Sequence, residues 1–165
     1  MLLDWGVAEV TTPRFADWPR ADVIAKVRIG IPLNAEESEA LVQAVWQKRQ
    51  PMLGYFFKNS TTWVRADFPM NRLGMIRSDI WFQADDTLAR VAANRSDVRI
   101  EAFSIEAMLG RPIIVGPNAN GPWSLIEGTH RCAEILRMSP ASQPASIPII
   151  AGLCEKIGDW ERRRN

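Results

Sequence analysis

The stretch Trp123-Ser-Leu-Ile-Glu-Gly-Thr-His-Arg-Cys-Ala-Glu-Ile-Leu-Arg137 decides the reading of this chain. Trp123 to Ile126 is an apolar, strand-like run, Glu127-Gly128 closes it, and Thr129-His130-Arg131 opens a helix directly behind it. A helix that starts at a strand end leaves its first backbone N–H groups without intrahelical partners, and the positive end of its dipole favours an anion. Gly128 lets the backbone come close to a phosphate at that point. His130 and Arg131 can donate to phosphate oxygens, and Glu127 is the carboxylate placed to act on a proton or a metal ion.

A purely structural reading of the same residues stands beside this one. Many strand-to-helix turns carry Gly and Thr only to make the turn and cap the helix, with Thr129 as N-cap and Glu134 and Arg137 solvated. His130 weighs toward a functional site, because it is the only histidine in the 165 residues and it falls beside Arg131 and just after Glu127.

Outward from this stretch the pattern is that of a mixed α+β fold. Pro112 to Val115 predicts a strand, and Gly116 to Pro122 holds the Gly, Pro and Asn residues of a turn, so Trp123 to Ile126 is the return strand of a hairpin. A loop from Ser139 to Ser146 precedes a further strand, Ile147 to Leu153. The hairpin and this strand are expected in one small mixed sheet, beside the helix that starts at Thr129. Upstream, Ser104 opens a predicted short helix with Ile105, Met108 and Leu109 facing in, and Gly110 stops it. Asp85-Asp86 is read as the cap of another short helix, whose inner face is Leu88, Val91 and Ala92.

Asn34-Ala-Glu-Glu37 has the form of a capping box, and Leu41, Val42, Val45 and Trp46 behind it follow helical spacing. A helix from about Ala35 to Lys48 is predicted, ended by Gln50-Pro51. Gly54 to Phe68 is aromatic and β-branched around Thr61 to Arg65, which suggests one or two strands. The tail Trp160-Glu-Arg-Arg-Arg164 reads as a solvated helix end whose arginines could also touch phosphates.

Length fits about one domain, and the 47% hydrophobic content is enough for a single core, so residues 1–165 are read as one domain. A net charge of +1 gives no strong overall field for DNA or an anionic membrane, so any nucleic-acid contact must come from a local arginine patch. The seven tryptophans lack the interleaved basic stripe of a base-stacking platform and are read as packing residues. Asp4 interrupts the first apolar residues where a secretory signal would continue, and no apolar run is long enough to span a bilayer. The expectation is a soluble protein of the bacterial cytoplasm. Cys132 and Cys154 are too few and too far apart for a zinc motif or a disulfide framework, and read as small buried thiols.

The order short helix, Pro-Ile-x-Val strand, turn, apolar strand, Glu-Gly-x-His-Arg, helix, Ile-Pro-Ile-Ile strand resembles the ParB/sulfiredoxin superfamily. The resemblance covers residues 100–154 and leaves 1–99 as an N-terminal elaboration. Members similar in this core bind or hydrolyse nucleoside phosphates, and their phosphate-binding turn corresponds to Gly128, Thr129, His130 and Arg131. Thr129 stands where sulfiredoxins have their reactive cysteine in Gly-Cys-His-Arg, which argues against sulfinate reduction. Cys132, one helical turn further on, is expected to pack under the helix. Partition-type ParB proteins carry Gly-x-Arg-Arg, matched here at Gly128 and Arg131 but not at His130.

In size and core the chain is similar to the plasmid fertility-inhibition proteins of the oncogenic-suppression type, which block DNA export by type IV secretion. That resemblance implies ATPase and possible DNase activity, with ATP and possibly Mg2+ as ligands, and DNA or a secretion or coupling protein as partner. It assigns Arg131 and His130 to the transferring phosphoryl group, and Glu127 to the attacking water or to the metal. Two other readings stay open: a non-catalytic module that docks DNA or protein through the same turn, and a small-molecule kinase of the same fold.

Overall fold

The hairpin predicted around the Gly116 to Pro122 turn forms, and it belongs to a four-stranded mixed sheet. The computed structural model describes residues 1–78, 86–96, 100, 103–105 and 110–162. Its helices are α1 (Leu2–Glu9), α2 (Ala21–Arg28), α3 (Ala35–Lys58), α4 (Met70–Leu73), α5 (Leu88–Asn94), α6 (Thr129–Arg137) and α7 (Ile157–Arg162). Its strands are β1 (Thr62–Pro69), β2 (Ile113–Gly116), β3 (Ser124–Glu127) and β4 (Ser146–Leu153). The architecture is therefore a mixed α+β fold, as the sequence pattern predicts. Contacts group the chain into two units, Met1–Tyr55 and Phe56–Asn165, with the boundary inside α3.

In the first unit, α3 starts where its capping box says it should. Asn34 and Glu37 exchange hydrogen bonds, Glu37 N–H to Asn34 Oδ1 and Asn34 N–H to Glu37 Oε2, both 2.9 Å. The Lys26 ammonium of α2 donates to the other oxygen of the same carboxylate at 2.5 Å. Apolar positions that recur at helical spacing, Leu41, Val45 and Leu53, are fully buried, as are Trp5 and Phe15. A charged pair is buried with them. Glu9, at the end of α1, accepts from the Arg49 guanidinium of α3, whose carbon lies 5.4 Å over the Trp5 ring, and from Arg14 at 2.5 Å. Pairing and hydrogen bonding of this kind make a buried carboxylate tolerable.

Helix α3 does not end at Gln50-Pro51, as the sequence suggests. It runs through Pro51 to Lys58, and so takes in Gly54 to Lys58, which read as the start of a strand region. An interior proline costs about 3 kcal/mol through a lost hydrogen bond and a steric clash. The apolar stripe nevertheless continues beyond it with two fully buried side chains, Leu53 and Phe56. Burying two such side chains contributes about 1.5 to 3 kcal/mol each, enough to outweigh the proline. The helix then stops at Ser60, in the left-handed region at φ 52°, where both the N–H and the hydroxyl of Thr61 bond the Phe56 carbonyl.

The second unit is built on β4. Along its length it pairs antiparallel with β1, from Thr62 opposite Leu153 to Pro69 opposite Ser146, and parallel with β2, from Ile113 beside Ile150 to Gly116 beside Leu153. Strand β3 completes the order β1-β4-β2-β3. The segment around Arg77 extends the sheet past β3, with Arg77 N–H bonded to the Trp123 carbonyl and Leu125 N–H to the Arg77 carbonyl. One core gathers Phe68 of β1, Leu73, Ile76, Leu88, Ile114, Leu125, Ile147 and Ile149 with Cys132 and Ile135 of α6. Glycine is needed at 152 because the Trp63 ring packs onto it: a Cβ there would sit 2.7 Å from the ring.

Three sequence readings change accordingly. Residues 62–94 are not an elaboration beside a core that begins at 100, because β1 shares a sheet with β2, β3 and β4, and α5 packs against α6. Helix α5 is capped by Thr87, whose hydroxyl accepts from the Arg90 N–H at 3.4 Å, and not by Asp86. Asp85, the helix predicted from Ser104 through Met108 and Leu109, and the end of the basic tail lie outside the described residues. Among the described residues, no helix is long and apolar enough to cross a membrane.

The capping box supplies a test. Asn34→Ala should lower the unfolding free energy by about 1 kcal/mol in urea titration. The Lys26 ammonium and the Asn34 N–H hold the Glu37 carboxyl below its ordinary range. Its contribution is complete above the ordinary glutamate value and is lost as pH falls through the lowered value of the folded state. Glu37→Gln should therefore flatten the acid limb of the stability profile below about pH 4.

Candidate functional site

Glu127, Gly128, Thr129, His130 and Arg131 come together where β3 passes into α6. A bulge precedes the turn: Ile113 faces Glu127 while Ile114 faces Leu125, so Ile126 is the extra residue and the strand bends just before its last carboxylate. Gly128 makes the whole connection. It is left-handed, with φ 104° and ψ 18°, and it serves as the N-cap of α6. Its carbonyl accepts the first helical hydrogen bond, from the Cys132 N–H at 2.9 Å. The N–H groups of Thr129, His130 and Arg131 precede that bond, so the helix itself offers them no acceptor.

Thr129 is thus the first residue of the helix rather than its cap, and its side chain makes no capping hydrogen bond. Gly128 is required for two reasons. Its conformation is one that residues with a Cβ rarely adopt, and a Cβ there would lie 3.0 Å from the Pro112 side chain and 3.2 Å from the Arg131 guanidinium. The glycine that the sequence reads as room for a phosphate also makes room for Pro112 and Arg131.

Arg131 turns back toward the strand. Its Nη2 donates to Glu127 Oε2 in an ion pair, and the two side chains are only 10% and 15% exposed. Such a pair fixes both groups, because removing either partner would leave a nearly buried charge. His130 lies on the open side of the turn and is exposed, and Thr129 is half-buried. The site therefore presents one exposed imidazole and a row of helix-start N–H groups, above a carboxylate and a guanidinium already engaged with each other.

Cys132 packs under the helix, as expected from its position one turn on. It is fully buried in the core, and burial pushes its thiol up to about 12. A thiol held that firmly in its neutral form is a poor nucleophile. Cys154 is buried as well.

Two residues thought to be solvated are structural. Glu134 is buried and accepts from the Ile100 N–H at 3.2 Å and from Arg137 Nη1 at 2.7 Å. Arg137 also reaches the end of α5, where its Nε donates to the Ala92 carbonyl and its Nη2 to the Arg95 carbonyl, both at 2.8 Å. One guanidinium thus satisfies orphan carbonyls at the end of another helix, a role its sequence position does not reveal. At the far end of α6, the Gln143 amide donates to the carbonyls of Ile135, Leu136 and Met138.

Among the described residues, no group of three or more His, Cys, Asp or Glu side chains could hold a metal ion. Glu127 is the carboxylate of the turn, and it already accepts from Arg131. A cation here would therefore have to be carried mainly by phosphates of its ligand, as Mg2+ is on a nucleotide. Comparison of the chain with protein-family models, with curated proteins and with solved structures gives no match.

The glycine carries the clearest structural consequence. Gly128→Ala should cost about 1 to 3 kcal/mol of unfolding free energy, from left-handed strain together with the Pro112 contact, as read from chemical denaturation. An alanine variant as stable as the parent would mean that the turn relaxes freely.

Proposed function

We propose that the β3–α6 turn binds the phosphate of a nucleotide. The observation that carries this reading is the single left-handed glycine at 128, which starts α6 with no intervening loop. The N–H groups of Thr129, His130 and Arg131 then stand at the positive end of the helix, with exposed His130 among them. The resemblance of residues 100–154 to ParB/sulfiredoxin proteins makes ATP the proposed nucleotide, and its hydrolysis the proposed reaction.

In that reaction the turn orients the phosphate chain, and His130 donates to a phosphate oxygen. Glu127, steadied by Arg131, accepts a proton from or orients the attacking water. Mg2+ bound to the nucleotide would supply further neutralisation of the phosphates. The same chemistry applied to a phosphodiester gives the DNase activity that the resemblance implies. The proposed setting, plasmid DNA transfer and its inhibition at type IV secretion, comes from the resemblance as well.

A second reading draws on the Glu127–Arg131 pair. Two groups that neutralise each other at low exposure suit a rigid docking turn, in which only His130 and the backbone meet a phosphate of DNA or a partner protein. Turnover separates the two readings. With ATP the melting temperature should rise by mass action in both cases, but only the enzyme releases phosphate.

His130→Ala is the cleanest probe, because an exposed side chain can be removed with little effect on folding. It should weaken ATP binding by at least about ten-fold in calorimetric titration, the scale of a lost hydrogen bond to a charged group, about 1.5 to 3 kcal/mol. Glu127→Gln should lower phosphate release at least about a hundred-fold while binding persists. Absence of any ATP binding by the parent chain would sink the nucleotide reading. Binding without phosphate release would favour the docking turn.

A further inference from the structure

Strand β1 lies at the edge of the sheet, because the order β1-β4-β2-β3 gives it β4 on one side and no described strand on the other. Eight residues make it a long edge, and six of them, Thr62, Val64, Arg65, Ala66, Asp67 and Pro69, are exposed. The backbone groups on its open side follow from the ladder. Ile150 N–H bonds to the Pro112 carbonyl and Cys154 N–H to that of Gly116, so the even-numbered residues of β4 face β2 and the odd-numbered ones face β1. Ile147, Ile149, Ala151 and Leu153 thus bond to Phe68, Ala66, Val64 and Thr62. The N–H and C=O groups of Trp63, Arg65 and Asp67 point the other way, out of the sheet.

A long open edge with outward amides is a template for another strand. Its charges say which one. Only two charged side chains stand on β1, Arg65 and Asp67, one on either side of Ala66. When a second copy of the strand is laid antiparallel with a twofold axis at Ala66, Arg65 of each copy falls opposite Asp67 of the other. Residues 65 and 67 are also the ones whose backbone groups point outward, so the two oppositely charged pairs are the hydrogen-bonded pairs of the new ladder. In the same register Val64, an apolar side chain left 42% exposed, faces Phe68 of the other copy, and Trp63 faces Pro69. Backbone parity and charge thus select the same alignment independently.

We propose that β1 pairs with β1 of a second copy, antiparallel about Ala66, and that the two four-stranded sheets join into a continuous eight-stranded sheet. The pairing is isologous, as twofold symmetry demands, with two cross-strand Arg65–Asp67 pairs beside the axis. Like charges would meet in the neighbouring register that puts Arg65 on the axis, opposite its own copy, so the alternation of sign fixes the alignment as well as the partner.

The experiment is sedimentation equilibrium of the full chain across a concentration series, with circular dichroism as the control for folding. The parent chain should form a concentration-dependent dimer. Asp67→Arg and Arg65→Asp should each raise the dimer dissociation constant at least about ten-fold, because each turns two attractive cross-strand pairs into repulsive ones. The double swap Arg65→Asp with Asp67→Arg restores opposite charges across the axis, and should return the constant to within about three-fold of the parent, a recovery that general surface damage would not give. Amide exchange at Trp63, Arg65 and Asp67 should slow on dimerisation, while that at Val64 and Ala66 is already slow in the monomer. A parent chain that stays monomeric would leave this edge to some other partner and overturn the proposal. So would a dimer that survives both single charge reversals, or a double swap that fails to recover.

Discussion

Strand β4 is the constraint on which the second unit rests. It alone joins β1, from the middle of the chain, to the hairpin of β2 and β3, and it does so with opposite polarities on its two sides. A parallel pairing beside the hairpin needs a crossover, and α6 is that crossover, running from the end of β3 and returning the chain to β4. The position of Gly128 follows from this topology. The chain must leave the sheet at Glu127 and turn into a helix at once, and a left-handed residue does this in one step.

The same economy means that structural and chemical demands fall on the same few residues. Gly128 yields space to Pro112 and opens a row of amide donors; Arg131 anchors the start of the helix to the strand end through Glu127. A carboxylate held by a guanidinium stays ionised and oriented, which suits a group that positions water. The same arrangement also suits a turn that only needs to be stiff. Either way, His130 is the member of the cluster free of packing duty by its exposure, and so the one through which ligand and fold can be separated.

What could be read from the sequence was whatever is encoded locally. The hairpin, β4 and α6 follow from two-residue alternation and from breakers that lie inside the segment itself, and the start of α3 follows from a four-residue capping box. What could not be read depends on distant partners. Pro51 is a local stop signal, overruled by the burial of Leu53 and Phe56, which no neighbouring residue announces. Strand β1 was visible as an apolar, β-branched run, but not its pairing with a strand some eighty residues later in the chain. Glu134 and Arg137 looked like solvated helix residues because the carbonyls that Arg137 caps lie 45 residues earlier, at Ala92, and beyond. At the turn, the residues were picked out correctly as a group. Their i, i+4 spacing between Glu127 and Arg131 was itself the signal that carboxylate and guanidinium would meet.

The buried thiols give the molecule an internal clock of its own opening. Cys132 lies in the centre of the sheet core and is held neutral, and Cys154 is closed in just beyond the end of β4. Neither sulfur can meet a reagent while the sheet is intact, so each becomes reactive only when the surrounding structure opens. Where closing is faster than labelling, the rate at which Cys132 is modified divided by its rate in the unfolded chain equals the equilibrium constant for exposing the core beneath α6. Cys154 reports the end of β4 in the same way, and the ratio of the two rates tells whether strand and helix open together or one before the other.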